Sequence, residues 1–257
     1  VIDFHGLSGR TYYVPLLSSP RSTGPYSAPD GEQDRRYSED DADYPVFLKF
    51  LEYQDREGFY FLQYLQNCSE TQRFSWTYYP PSSFKILIYF ADGDYFAISA
   101  ETYDRYAFDS NYSVSLSDSE ISSMMAEGQA LTFKADRSYP YGNEVLSLAV
   151  RILLTIAIEL LIALAFAFRG KKQLLFIAAV NLATQVTLNV ALYFVDYRYG
   201  QLMFVFAYIL LELLVFIAEA VLYTALLRKF SGVPVPKWKT VLYALIANGA
   251  SFAAGIG

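Results

Sequence analysis

Two stretches decide the fold: VLSLAVRILLTIAIELLIALAFAFRGKKQLLFIAAVNLATQVTLNVALYFV at 145–195, and QLMFVFAYILLELLVFIAEAVLYTALLRKFSGVPVPKWKTVLYALIANGASFAAGI at 201–256. Each holds two apolar runs around a short basic segment. A bilayer core of about 30 Å takes about 20 mostly apolar residues at about 1.5 Å rise each. The runs 145–168, 173–195, 201–227 and 240–256 have this character, the last being the shortest. The spacing predicts four membrane-spanning helices arranged as two hairpins, the second an altered copy of the first. Glu159 precedes Arg169 by ten residues, as Glu219 precedes Lys229; Lys172 precedes Asn181 by nine, as Lys239 precedes Asn248. Three residues after each Asn comes a hydroxyl, Thr184 in the first copy and Ser251 in the second.

Charge in the loops sets the expected orientation. Arg169, Lys171 and Lys172 lie between runs one and two; Arg228, Lys229, Lys237 and Lys239 lie between runs three and four. The loop at 196–200 has only Arg198. The positive-inside rule then places 169–172 and 228–239 in the cytoplasm and everything before residue 143 outside, in a multi-pass protein of the plasma membrane. Tyr193, Phe194, Tyr197 and Tyr199 would form an outer aromatic belt, with Trp238 and Tyr243 at the inner one.

Counting rise from the basic loops puts Glu159 and Glu219 about 15 Å up and Asn181 and Asn248 about 13.5 Å up, all near the midplane. A carboxylate facing lipid there costs several kcal/mol, so these residues are expected to face inward and find partners. The economical arrangement bonds a Glu of one hairpin to an Asn amide and repeats this about a pseudo-twofold axis. Thr184, Gln185 and Asn181 share one side of run two, and Ser251 follows Asn248. Arg151 and Glu212 both fall roughly 24–27 Å up, which predicts an ion pair near the outer boundary. The cluster has two readings. It holds the helices, or a partner subunit, together; or Glu159 and Glu219 are proton or cation sites. An intramembrane hydrolase has little to build on, with His5 the lone histidine, no Gly-x-Ser-x-Gly and no pair of membrane aspartates.

Residues 1–142 have a different character. Up to position 145 the chain has 22 acidic and 11 basic residues, against 4 and 9 afterwards, within a net charge of −6. That balance gives no support for nucleic-acid binding. Cys68 is the single cysteine, so no intrachain disulfide forms, and no cofactor motif is present. Strands are expected within 1–17, at 59–65, 73–79, 84–90, 95–99, 111–117 and 131–135; 46–53 is open between helix and strand. Ser117 and Glu120 resemble a capping box before a short helix that Gly128 would end. Short strands at this spacing predict an antiparallel β-sandwich of the immunoglobulin or transthyretin kind, in an α+β multidomain chain. The irregular segment 18–45 is long enough to be either mobile or a binding element. Within it Glu39, Asp40, Asp41 and Asp43 form a candidate calcium-binding run, beside the alternative of a solvated acidic loop. The chain starts at Val1 without an initiator Met, which with an external N-terminal domain points to a removed signal peptide.

The chain resembles a family of bacterial integral membrane proteins. The likeness lies in a β domain with a stretch like Trp76-Thr77-Tyr78-Tyr79-Pro80-Pro81 and Phe84-Lys85-Ile86-Leu87. That domain precedes Glu/Asn hairpins like those with Val180-Asn181-Leu182-Ala183-Thr184 and Ala247-Asn248-Gly249-Ala250-Ser251. The resemblance implies architecture and no particular chemistry. The reading favoured by the sequence is a non-enzymatic cell-surface protein. Its outer domain binds a partner or ligand that the sequence leaves open, and its helices anchor it in the bilayer and assemble with themselves or other subunits. The alternative is a small transporter or channel component using the midplane Glu and Asn residues.

Overall fold

The apolar periodicity changes from two to about 3.6 near residue 140, and the structure divides there, into Val1–Tyr139 and Pro140–Gly257. A computed structural model describes residues 1–77, 79–117, 119–122, 131–230 and 234–256.

The first unit has strands β1 (Ile2–His5), β2 (Tyr12–Ser18), β3 (Ser22–Thr23), β4 (Tyr26–Ser27), β5 (Tyr60–Asn67) and β6 (Arg73–Phe74). These are followed by β7 (Ser83–Phe90), β8 (Tyr95–Ser99), β9 (Tyr103–Asp104), β10 (Tyr112–Ser115), β11 (Leu131–Phe133) and β12 (Ala135–Arg137). One sheet has the order β12-β10-β1-β6, a second β11-β8-β7-β2-β5 with β9 also on β7, and β3 and β4 form a separate two-stranded sheet. The expectation of purely antiparallel sheets is corrected, because β1 runs parallel to β10 and β11 parallel to β8. Neither pair is joined by a hairpin, so the direction is free to be set by packing rather than by a tight turn. The α-amino group of Val1 donates to the Ser110 carbonyl at 2.8 Å and holds the start of β1 beside β10.

The pleat of β7 sends alternate residues to opposite faces. Ile86, Ile88 and Phe90 join Ile2, Phe4, Tyr112 and Val114 in one cluster, which thus draws on both sheets. Leu87 and Tyr89 face the other way and join Phe47 and Phe50. Those two phenylalanines lie one turn apart on α1 (Tyr44–Glu52), which resolves the open segment as a helix with Pro45 at its start. Lys85 is the charged exception on β7. Its ammonium bonds Asp55 at 3.0 Å and Glu57 at 3.2 Å, with the Lys85 and Asp55 side chains 6% and 3% exposed.

The long segment after β2 is pinned rather than loose. Gln63 of β5 is buried, and its amide donates to the carbonyls of Ser27 and Asp34 at 3.0 Å while accepting from Arg36 N at 2.8 Å. The acidic run 39–43 is held by local contacts. Asp41 accepts from the backbone and hydroxyl of Ser38, Asp43 leads into α1, and Glu39 and Asp40 are exposed. Among the described residues no group of three His, Cys, Asp or Glu side chains converges on a metal position. The Asp41 carboxylate is thus engaged by a local turn. Ser117 and Glu120 do exchange capping bonds, Ser117 N to Glu120 Oε2 at 2.9 Å and Glu120 N to Ser117 Oγ at 3.3 Å. Gly128, expected to end that helix, lies outside the described residues, as does Tyr78 of the strand expected over 73–79.

The second unit contains α2 (Tyr141–Ala165), α3 (Lys171–Tyr199), α4 (Gln201–Leu226, prolonged by a 3-10 turn to Phe230) and α5 (Lys237–Ile256). Three helices, Tyr141–Ala165, Lys171–Tyr199 and Gln201–Phe230, are long and apolar enough to cross a membrane. Each helix packs on the next and α5 packs back on α2, which closes a ring. Between α3 and α4 the chain turns at Gly200, whose φ of +81° and N–H bond to the Asp196 carbonyl cap α3. Of the residues assigned to belts, Phe194, Tyr199 and Trp238 are exposed, and Tyr193 and Tyr197 are half-buried. Tyr243 departs from its expected place, for it is fully buried inside the ring.

Candidate functional site

Polar residues on α2 to α5 form a layer between two apolar clusters of the helical unit. On one side lie Ala163, Ile177, Val180, Tyr223, Tyr243 and Ala244; on the other lie Leu188, Leu192 and Val215. In the layer, Glu159, Asn181 and Glu219 are completely buried, and Gln185, Asn248 and Ser251 nearly so. Periodicity explains the convergence: Val215, Glu219 and Tyr223 repeat every four residues on one face of α4, as do Ile177, Asn181 and Gln185 on α3.

Glu219 is the best-supported member. Its Oε1 accepts from the Thr184 hydroxyl at 2.6 Å and its Oε2 from the Asn248 amide at 2.8 Å, while the Tyr223 hydroxyl also lies against it. Thr184 also approaches the carbonyls of Val180 and Asn181 at 3.0 and 3.1 Å. A hydroxyl has one proton to give, and the shortest contact, to Glu219, takes it. Thr184 belongs to the first hairpin and Asn248 to the second, so Glu219 joins both copies.

Each Asn makes the same local bond. Asn181 Nδ2 donates to the carbonyl of Ile177 at 3.1 Å and Asn248 Nδ2 to that of Ala244 at 3.0 Å, four residues back in both cases. The remaining N–H of Asn181 goes to the Tyr223 hydroxyl at 2.9 Å. Beyond this the copies differ. Ser251, in the place of Thr184, donates to its own helix at the Asn248 carbonyl, 3.1 Å away. Glu159, in the place of Glu219, has neither Oε1 nor Oε2 hydrogen-bonded, although Asn181 is beside it. Asn181 Oδ1 and Asn248 Oδ1 are buried without partners too. The symmetric pair of Glu–Asn bonds is therefore present at one acid and absent at the other.

The expected outer ion pair is not formed. Arg151 bonds Ser147 one turn back on α2 at 3.3 Å, and Glu212 bonds Tyr208 one turn back on α4. A neighbour on the same helix is closer than a partner across the ring. Gln185 receives the Asn189 amide, at 2.9 Å on its carbonyl and 3.4 Å on Oε1.

Two tyrosines complete the layer: Tyr223, which the sequence places on the Glu219 face of its run, and Tyr243, which the sequence places at the inner aromatic belt. Tyr223 links Asn181 to Glu219, and the Tyr243 hydroxyl donates to the Glu159 carbonyl at 3.3 Å. The signal for Tyr223 was its place one turn after Glu219. Tyr243 had none, because a tyrosine four residues past a basic loop reads as an interface anchor. A groove of about 390 Å³ opens between α3 and α4, walled by Ala183, Thr184, Leu188, Leu211, Leu214 and Ala218. It is apolar apart from threonine hydroxyls, and one of those is the donor to Glu219.

No protein-family model, curated protein or solved structure matches the chain.

Proposed function

We propose that this is an integral membrane protein of the cell surface, with an outer β domain that binds a partner and a four-helix region that anchors and assembles it. The observation that carries the reading is the pattern of exposure on the helical unit. Leu153, Leu161, Leu175, Leu202, Phe206 and Val221 are each more than 60% exposed, on helices whose Glu159, Asn181 and Glu219 are fully buried. Contiguous apolar surface on that scale is stable against lipid or another helix and not against water. We read α5, although shorter and more polar than the others, as a fourth span, since its Tyr243, Ala244 and Ala247 share a core with α2 to α4. We read the two sheets as layers of a sandwich of the immunoglobulin or transthyretin kind, an assignment supported by the cluster they share. The basic loops orient this protein with residues 169–172 and 228–239 in the cytoplasm of the producing cell.

The test is cysteine labelling of intact cells in a Cys68→Ala background. A membrane-impermeant maleimide modifies Arg198→Cys from outside and leaves Lys171→Cys untouched until the cells are opened. The reverse pattern overturns the orientation, and recovery of the chain in the soluble fraction overturns the membrane reading.

One observation favours a second reading, in which the layer is an ion or proton path of a small transporter or channel component. The groove between α3 and α4 ends on Thr184, so surface and buried carboxylate share one hydroxyl. Purified protein in liposomes then shows a pH-dependent flux that Glu159→Gln and Glu219→Gln abolish. Absence of any flux leaves the anchoring role alone.

A further inference from the structure

The buried side-chain atoms without partners among the described residues of the helical unit are Glu159 Oε1, Glu159 Oε2, Asn181 Oδ1 and Asn248 Oδ1. All four are acceptors. The donors around them bond elsewhere at 2.6–3.1 Å, and the Asn181 side chain also interacts with Glu159. Asn181 Nδ2 serves Ile177 and Tyr223; Asn248 Nδ2 serves Ala244 and Glu219; Thr184 serves Glu219, and Ser251 serves the Asn248 carbonyl. Buried polar groups without partners are rare in native structures, and a surplus of one kind indicates what is missing. Here it is a hydrogen.

We propose that Glu159 holds a proton that it shares with Asn181 Oδ1, and that Glu219, with its donors in place, is the unprotonated acid of the pair. The inference rests on the membrane-spanning reading above. The groups facing Glu159 are Asn181 from α3, Glu219, Glu212 and Tyr223 from α4, and Tyr243 from α5. None of these is a cation, so no side chain among them neutralises a charge on Glu159. A hard metal ion in its place takes about six oxygen ligands. Glu159 and Asn181 offer three free ones. A proton needs no added volume and turns a carboxylate acceptor into a donor. Asn248 Oδ1 is not accounted for by this proton.

Infrared spectroscopy of the full chain reconstituted in phosphatidylcholine vesicles at neutral pH tests the proposal. The expected spectrum contains a protonated-carboxyl C=O band that is retained in Glu219→Gln and lost in Glu159→Gln, with the helical circular dichroism of both variants unchanged. Asn181→Leu, which removes the shared acceptor, moves the band to higher frequency without removing it. A band that persists in Glu159→Gln, or a wild-type spectrum without one, overturns the assignment. So does a band that disappears on adding Na⁺ at constant pH, which would make the site a sodium site. Resistance of the chain to alkaline extraction from the same vesicles is scored separately. A chain that is extracted overturns the membrane reading, whereas a retained chain with the wrong band pattern overturns only the proton.

Discussion

Replacing each buried glutamate by glutamine keeps the side-chain shape and changes only which hydrogens are present, so the two copies of the hairpin are expected to respond differently. At Glu159 a glutamine can turn its amide toward Asn181 Oδ1, supplying the same hydrogen bond that a protonated acid supplies. The expected change in stability is within about 0.5 kcal/mol of zero, as for a swap that conserves contacts. Were Glu159 charged and unpartnered, the same substitution would remove a buried charge and stabilise the fold by several kcal/mol. At Glu219 both oxygens accept, from Thr184 at 2.6 Å and Asn248 at 2.8 Å. A glutamine must present its NH₂ to one of these donors. Asn248 Nδ2 cannot accept, so the carbonyl stays there and the NH₂ turns to Thr184. The threonine can receive that hydrogen and donate instead to the Val180 carbonyl at 3.0 Å. Both charge-assisted bonds are exchanged for neutral ones, at a cost of about 2–3 kcal/mol. Reversible unfolding of the purified chain in mixed detergent micelles, followed by circular dichroism, measures both differences. A gain of about 3 kcal/mol or more in Glu159→Gln would show that Glu159 is charged, and an unchanged Glu219→Gln would show that its bonds contribute nothing; either refutes the reasoning.

Three further outcomes concern the β domain. Lys85→Met strands the buried Asp55 carboxylate and is expected to cost about 3–5 kcal/mol, read from Trp76 fluorescence during denaturation of a Trp238→Phe chain. Gly6→Ala is expected to cost at least about 1–3 kcal/mol, because the added Cβ runs into the Leu116 carbonyl oxygen and φ is +83°; the same denaturation assay measures it. Burial pushes the Cys68 thiol from 9.0 up to about 12. Between those values the folded chain holds a proton that the unfolded chain has lost, so this group's contribution is complete below pH 9.0 and falls as pH rises toward about 12. Ellman titration is accordingly expected to detect Cys68 only in unfolded protein, and a fast reaction of the native state would contradict its burial.

The helices were the most legible part of the sequence. The expected runs 173–195 and 201–227 lie inside or nearly coincide with Lys171–Tyr199 and Gln201–Phe230, since unbroken apolar sequence of that length has few other solutions. The strands over 84–90 and 95–99 were also legible, being bounded by Pro81 and by the turn at Asp92 and Gly93. Strand direction was not, because β1 and β10 meet from opposite ends of the domain and no local residue records that pairing. The acidic run at 39–43 illustrates another limit: composition shows four carboxylates, and only the fold shows Asp41 turned back onto Ser38. For the polar layer, spacing identified which residues share a helix face. It did not reveal which donor reaches which acid, since a hydroxyl such as that of Ser251 can as easily bond its own backbone.

That last distinction gives Glu159 and Glu219 unlike surroundings despite the matching sequence spacing around them. Sixty residues separate equivalent positions on α2 and α4, and 67 separate those on α3 and α5. By that correspondence Tyr223, which supports Glu219, stands where the first copy has the buried Ala163. Tyr243, which bonds only the backbone of Glu159, stands where the first copy has Phe176. Thr184 stands opposite Ser251. The Tyr223 and Thr184 hydroxyls lie against Glu219, whereas the Tyr243 hydroxyl is taken by the Glu159 backbone and the Ser251 hydroxyl by its own helix. A carboxylate surrounded by donors is stabilised as the anion, and one without donors is stabilised only when neutral. Glu219 acts electrostatically on Glu159, and on the proposed assignment the surrounding donors favour the charge at Glu219.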